Sequence, residues 1–313
     1  MKALLILLDG EHVPNLTMPK AFQKKMDCEI IWWQQHDQNS LNEFIRQKAR
    51  SEKYELVFMQ IQADHILHPE TVRILSESAV VFNWTGDVRE DLSMYKRIGH
   101  NCITTFTNTT DVELMRAAGF RSEYLQTGYD TVHYNYKPSD IKHRNIVFCA
   151  NHYENSFPLS RFRVELVRTL KIHFGDTFNL YGGGWEKEGL CAEIKGVDNA
   201  YEAELYRTCA IAINCSHFAY GRYSSDRLFR EMACGAFVLT HRFPDLETDF
   251  SNGRDLVVFE SLQDLVEKCN YYLDKPEIRE PIGKYAANKA KTWFTWDNFV
   301  DNLLFLYNKH KKQ

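Results

Sequence analysis

Residues 210–240 read AIAINCSHFAYGRYSSDRLFREMACGAFVLT: two apolar runs, Ala210–Asn214 and Phe237–Thr240, separated by a polar loop and one amphipathic stretch. Short apolar runs of this kind suit strands buried on both faces, and the stretch between them carries apolar residues at helical spacing. Strand, loop, helix and strand make the βαβ unit of a parallel sheet. Gly221 lies in the loop, a serine N-cap (Ser224 or Ser225) opens a helix of about three turns, and Gly235 follows it. Leu228 and Met232 mark a core face of that helix; Ser224, Arg227 and Glu231 line another at spacings of three and four. In open α/β sheets ligands sit at the carboxyl ends of strands, where helix N-termini present free N–H groups and partial positive charge. Amides and Arg227 would suit a diphosphate, and the Glu231 carboxylate two vicinal ribose hydroxyls. The same spacing also fits an exposed Arg–Glu pair worth about 0.3–0.5 kcal/mol, and spacing alone favours that plainer reading.

Working outward, the alternation repeats. Before the helix stand strands expected at Ile146–Ala150 and Phe178–Tyr181 and helices at Ser160–His173 and Ala200–Thr208; after it come a strand at Leu256–Phe259 and a helix at Leu262–Leu273. The N-terminal half carries six strands, Ala3–Leu8, Glu29–Trp33, Leu56–Ile61, Val80–Trp84, Cys102–Phe106 and Glu123–Gln126, between helices at Ser40–Ser51, Pro69–Ser76, Asp91–Ile98 and Asp111–Ala118. The polar stretch Asn135–Asn145, which contains Pro138, breaks the periodicity and is the expected linker. After Pro276 the chain reads as wholly helical, Ile278–Lys291 and Trp296–Lys309. The expected fold class is therefore α/β, two Rossmann-like doubly wound domains with a C-terminal helical tail.

At 313 residues the chain exceeds what one core usually organises, and a hydrophobic fraction of 44% supports real cores. A net charge of −4 argues against the broad cationic surface of non-specific nucleic-acid binding, so nucleic acid is compatible but not indicated. The apolar run Ala3–Leu8 is too short to span a bilayer. Eight cysteines with no C-x-x-C pair read as buried reduced thiols of a cytoplasmic protein. There is no G-x-G-x-x-G, no P-loop and no Asp-x-Asp to hold a metal–diphosphate, and His65 and His68 lack a third ligand. No metal and no cofactor are expected.

Leu205–Asn214, Ser225–Gly235 and Phe237–Thr240, with Asn179–Trp185 (NLYGGGW), Gly196, Asp255–Phe259 and Gly128–Asp130, resemble the C-terminal domain of the "glycosyl transferases group 1" proteins, particularly their CgeB-like branch. The resemblance covers Ile146 to Phe299 and is thin over the N-terminal domain. It reverses the order of the two readings of the helix. It implies the GT-B fold: an N-terminal acceptor domain over 1–137, a nucleotide-sugar donor domain over 138–295, and a tail helix over 296–313 that crosses back to the first domain. It implies an enzyme that moves a sugar from a nucleoside diphosphate, UDP or GDP, to an acceptor hydroxyl in a cleft between the domains, metal-independent and retaining. In that family the glutamate at the position of Glu231 binds the ribose. The wider group often carries a second glutamate eight positions earlier, where this chain has Tyr223.

The implied donor set comprises Glu231, Arg227, Ser224, Ser225, Asn214 and Tyr223. Similar enzymes keep a basic residue for the diphosphate where Arg161 and Arg163 open a helix, although either arginine could equally be a surface residue. Gly182–Gly184 would let the backbone approach a nucleobase or simply turn sharply, with Tyr181 and Trp185 as flanking aromatics. Catalytic candidates are Arg227 at the leaving diphosphate, Asp87 after the strand Val80–Trp84, and His12 after the first strand beside Asp9 and Gly10. Asp87 could orient or deprotonate the acceptor, or cap the helix beginning near Glu90. The acceptor is open among glycans, small molecules, proteins and hydroxylated DNA bases. Two other readings stay open on the same scaffold: a nucleotide-sugar epimerase, and a non-catalytic nucleotide-sugar-binding protein.

Overall fold

The computed structural model describes residues 1–8, 17–139 and 143–311. The chain divides into two compact units, residues 1–128 with 296–313, and residues 129–295. In the first unit β1 (Lys2–Leu7), β2 (Asp27–Trp32), β3 (Leu56–Met59), β4 (Val80–Thr85), β5 (Ile103–Phe106) and β6 (Ser122–Tyr124) form one parallel sheet in the order β2-β1-β3-β4-β5-β6. Alternate residues of these strands serve opposite faces. Leu4 and Ile6 join the core beneath α2 (Gln38–Ser51), α3 (Pro69–Ser76), α4 (Ser93–Ile98) and α5 (Thr109–Ala117); Ala3, Leu5 and Leu7 face the other side. A short helix not expected from the sequence, Met18–Gln23, packs Met18, Ala21 and Phe22 into that second core; in chain order it is α1.

The second unit repeats the plan. β7 (Ile146–Cys149), β8 (Phe178–Tyr181), β9 (Ile211–Asn214), β10 (Val238–His241) and β11 (Val257–Phe259) are parallel in the order β11-β10-β9-β7-β8. One face packs on α6 (Ser160–Phe174) and α10 (Leu262–Leu273). The other packs on α7 (Asn199–Thr208), α8 (Asp226–Ala233) and α11 (Pro276–Trp293). A single turn, α9 (Leu246–Asp249), follows β10.

The final helix, α12 (Trp296–His310), belongs to the first unit. Trp296, Phe299, Val300 and Leu303 enter the core beneath β1 and β3, and Glu123 of β6 accepts hydrogen bonds from Lys309 Nζ at 2.6 Å and His310 Nε2 at 2.9 Å.

The division between units lies at Gly128/Tyr129, ahead of the expected 137/138 boundary. Tyr129 and Tyr134 are core residues of the second unit, and Arg207 Nε donates to the Asn135 carbonyl at 3.0 Å, so the start of the expected linker is fastened to that unit. Six of the eight thiols are buried; Cys28 is half-buried and Cys191 exposed, contrary to the uniform burial expected. Among the described residues no helix is long and apolar enough to cross a membrane.

Candidate functional site

In the second sheet the chain leaves β7 for β8 on one side and then returns for β9 on the other. The carboxyl ends of β7 and β9 therefore border the crevice at which doubly wound sheets take ligands. Arg227, in the first turn of α8, reaches across both strand ends. Its Nη2 donates to the Cys215 carbonyl at 2.8 Å and its Nη1 to the Cys149 carbonyl at 3.3 Å. Nε has no hydrogen-bond partner and points at Glu231 Oε1, 3.7 Å away.

Arg163, in the first turn of α6, is wholly buried. Its guanidinium carbon lies 5.4 Å from the Phe148 ring centre and 5.8 Å from that of Trp185, while Arg227 lies 5.5 Å from the same Phe148 ring. Arg163 Nη1 donates to the His217 ring, 2.7 Å from Nδ1 and nearer still to Nε2; Nε and Nη2 have no partner. Burial, then the neighbouring Arg227, lowers the Arg163 guanidinium to about 9, which leaves it charged at neutral pH. Burial, then the two arginines, drives His217 down to about 2, so the imidazole is neutral and can accept. A buried polar group left unsatisfied costs roughly 1–3 kcal/mol, and more when charged. An anion meeting the free N–H groups of Arg163 would remove that penalty.

Glu231 has no exposed surface. Asn214, at the end of β9, donates to its Oε2 at 3.0 Å, and Oε1 has no hydrogen-bond partner. Burial raises the carboxyl to about 8, against the pull of Arg227 and Asn214. The Arg227–Glu231 pair is thus internal to the unit, which excludes the reading as a solvated surface pair. Ser225 occupies the backbone N-cap position of α8, but its hydroxyl accepts no capping bond; Oγ is buried and unpartnered. Ser224 and Tyr223 are also buried there.

Two features of this loop escape sequence reading. Arg222 has φ +55°, a strained value for a non-glycine residue, and a bidentate ion pair with Asp249 at 3.0 and 2.7 Å holds it there. His217 is a lone loop histidine whose only sequence signal is its place just after β9.

The structure separates the two candidate arginines. The Arg161 side chain is 88% exposed and lies 3.6 Å from Glu165, a surface pair. The glycine run is a backbone device: Gly182 has φ +114°, and a Cβ there would stand 2.3 Å from the Ala150 carbonyl oxygen. Gly183 N donates to Asn151 Oδ1 at 2.9 Å, so the loop after β8 packs on the loop after β7. Trp185, expected as a flanking aromatic, is packed into the interior of the unit. It is fully buried, stacks on His152 at 4.9 Å, and donates from its indole N–H to the Ala150 carbonyl at 2.6 Å. Tyr181 is buried at the end of β8.

In the first unit, Asp87 is exposed after β4 and stands 3.6 Å from Arg89. It does not cap α4; Asp91 accepts there from the Ser93 amide at 2.8 Å. His12, with Asp9 and Gly10, lies outside the described residues. Among the described residues no group of three or more His, Cys, Asp or Glu side chains could hold a metal ion, and His65 and His68 form none.

Residues 161–304 match the glycosyl transferase-like family model. That span is just under half of the chain and contains Arg163, Arg227 and Glu231. Spore coat protein SA of Bacillus subtilis (strain 168) is 30% identical over 86 residues; the match covers 26% of this chain and 23% of that protein. Solved structures are similar over the whole chain. Anabaena HepE in complex with UDP and glucose aligns with a TM-score of 0.67 at 13% identity, covering 99% of this chain and 100% of that one. Sucrose-phosphate synthase from Thermosynechococcus elongatus aligns at 0.66 and 12% identity, over 100% and 99%. A glycosyltransferase from Rickettsia africae aligns at 0.68 and 11%, over 98% of each. The two parallel sheets with interleaved helices are the two-domain fold of these structures, of GT-B type.

Proposed function

We propose that the protein transfers a sugar from a nucleoside diphosphate, UDP in our reading, to an acceptor hydroxyl. One observation carries this: at the switch point of the second sheet a buried guanidinium with unpartnered N–H groups shares the Phe148 ring with Arg227, and a buried carboxyl with an unpartnered oxygen stands 3.7 Å from Arg227. The first would hold a diphosphate and the second ribose hydroxyls. UDP bound to Anabaena HepE, which shares the fold, supports the choice of nucleotide.

In the reaction the bond from the anomeric carbon to the diphosphate oxygen breaks, its electron pair stays on the diphosphate, and the acceptor oxygen bonds to the carbon as its proton departs. The growing negative charge would be met by Arg163 and the positive end of α8. Arg227, fixed on two main-chain carbonyls, would hold the positive field in place. Two arginines can balance a diphosphate without a divalent ion, so we propose a metal-independent transfer, with the retained configuration that the resemblance implies. Asp87 is our candidate for orienting or deprotonating the acceptor.

The test is turnover. Purified protein incubated with labelled UDP-sugars and a panel of glycan, small-molecule, protein and modified-DNA acceptors should release UDP and label an acceptor, with equal rates in EDTA. An epimerised donor without transfer would overturn the reading. Tyr223, in place of a carboxylate, favours a second reading as a binding protein, which UDP-sugar binding without turnover on any acceptor would support.

A further inference from the structure

On the second unit, away from the strand ends described above, a groove of about 270 Å³ runs along α11. Tyr285 and Trp293, two turns apart on that helix, edge it and are 51% and 65% exposed. Asn288 and Thr292 stand between them on the helix, and Ser251 and Arg254 also line the groove. The floor is built rather than accidental. Asp255, 4% exposed, accepts from the Ser251 amide at 2.8 Å and from Lys289 Nζ at 2.5 Å.

This lining selects among ligand classes. An apolar peptide or lipid would find only aromatic rings, amides and hydroxyls, with no aliphatic side chain. An anion would find Lys289 already bound to Asp255, and the Arg254 guanidinium laid 4.4 Å from the centre of the Tyr285 ring. A pyranose ring is amphipathic in the matching way: its C–H face suits an exposed indole, and its hydroxyls suit amide, hydroxyl and guanidinium groups at the edges.

We propose that this groove is a carbohydrate-binding site, distinct from the nucleotide site, which holds a sugar unit of an oligosaccharide against Trp293. It stands on its own lining and not on the transferase reading. The test titrates the full-length protein with neutral hexaoses of glucose, mannose and N-acetylglucosamine, following tryptophan fluorescence, with inorganic phosphate as the anion control. The expected result is millimolar binding of at least one hexaose, weakened about tenfold by Trp293→Ala and less by Tyr285→Ala, with UDP affinity unchanged in both. Three results would overturn the proposal: no binding of any hexaose, binding that Trp293→Ala leaves intact, or displacement by phosphate. Loss of UDP binding in the unaltered protein alongside intact hexaose binding would sink the transferase reading and leave the groove standing.

Discussion

Both sheets are wound in the same order, yet their buried glutamates behave in opposite ways. Glu123 of the first unit accepts from three side chains, Lys309 at 2.6 Å, Arg116 at 2.8 Å and His310 at 2.9 Å. Burial raises its carboxyl, but these partners outweigh burial and hold it below the ordinary value of 4.5. Glu231 of the second unit keeps one oxygen without a hydrogen bond and is raised to about 8. The strand ends differ likewise. In the first sheet Gln60 and Asn83 use their amides on the main chain, Gln60 accepting from Leu8 N at 3.1 Å and Asn83 pairing with both polar groups of Ile61 at 3.0 Å. In the second, Arg163 and Glu231 are buried with bonding capacity unused. Topology places a crevice in either sheet; the unsatisfied buried atoms described in the first unit belong to Thr17, Trp33, Tyr95, Trp296 and His310, whereas the second adds a guanidinium and a carboxyl, which mark it as a grip for a ligand.

The largest expected effect breaks the structural side of this contrast. Glu123→Ala should cost up to about 3 kcal/mol by leaving the buried His310 ring without its acceptor, the half-exposed Lys309 adding little, and should loosen α12 while UDP affinity holds. Denaturant unfolding and amide exchange along residues 296–310 check it. On the functional side, Arg163→Met, which keeps the packing on Phe148 and Trp185, should weaken UDP binding about hundredfold. Arg161→Ala, two residues away, should leave UDP binding unchanged, since that side chain is a surface one.

Stability against pH sharpens the comparison further. Glu231 has a folded value above its unfolded one, so the fold holds a proton that the unfolded chain releases between pH 4.5 and about 8, and its contribution falls as pH rises through that window. Glu123 has a lowered folded value, so its contribution is present above 4.5 and lost as pH falls through the folded value. Thermal melts of Glu231→Gln should therefore gain on the native protein from pH 5 to 8. Those of Glu123→Gln should differ most above pH 5 and converge with the native protein in acid. Parallel curves for the two variants would contradict the contrast.

How far these differences are legible in the sequence depends on the length of the pattern. The eleven strands of the described residues are mostly short apolar runs, and each lies within two residues or so of its expected place. α1 and α9 span six and four residues, too few for a helical period to register. The polar stripe on α8 is visible as spacing, but its burial is not, because period alone cannot tell an internal polar face from a solvated one. Arg161 and Arg163 fall in one helical turn and differ only in which way they face. Trp185 reads as a flanking aromatic because its stacking on His152 joins two loops distant in sequence.

The central claim is that Arg163 and Glu231 hold a nucleoside diphosphate. Calorimetric titration of the native protein with UDP, at pH 6.5 and 8.5 in buffers of different ionisation enthalpy, tests it most directly. Ribose hydroxyls favour the ionised Glu231, so binding at pH 6.5 should release a proton, should tighten toward pH 8.5 where release fades, and should lose its proton linkage in Glu231→Gln. Absence of UDP binding, or binding whose pH dependence Glu231→Gln leaves intact, would contradict it.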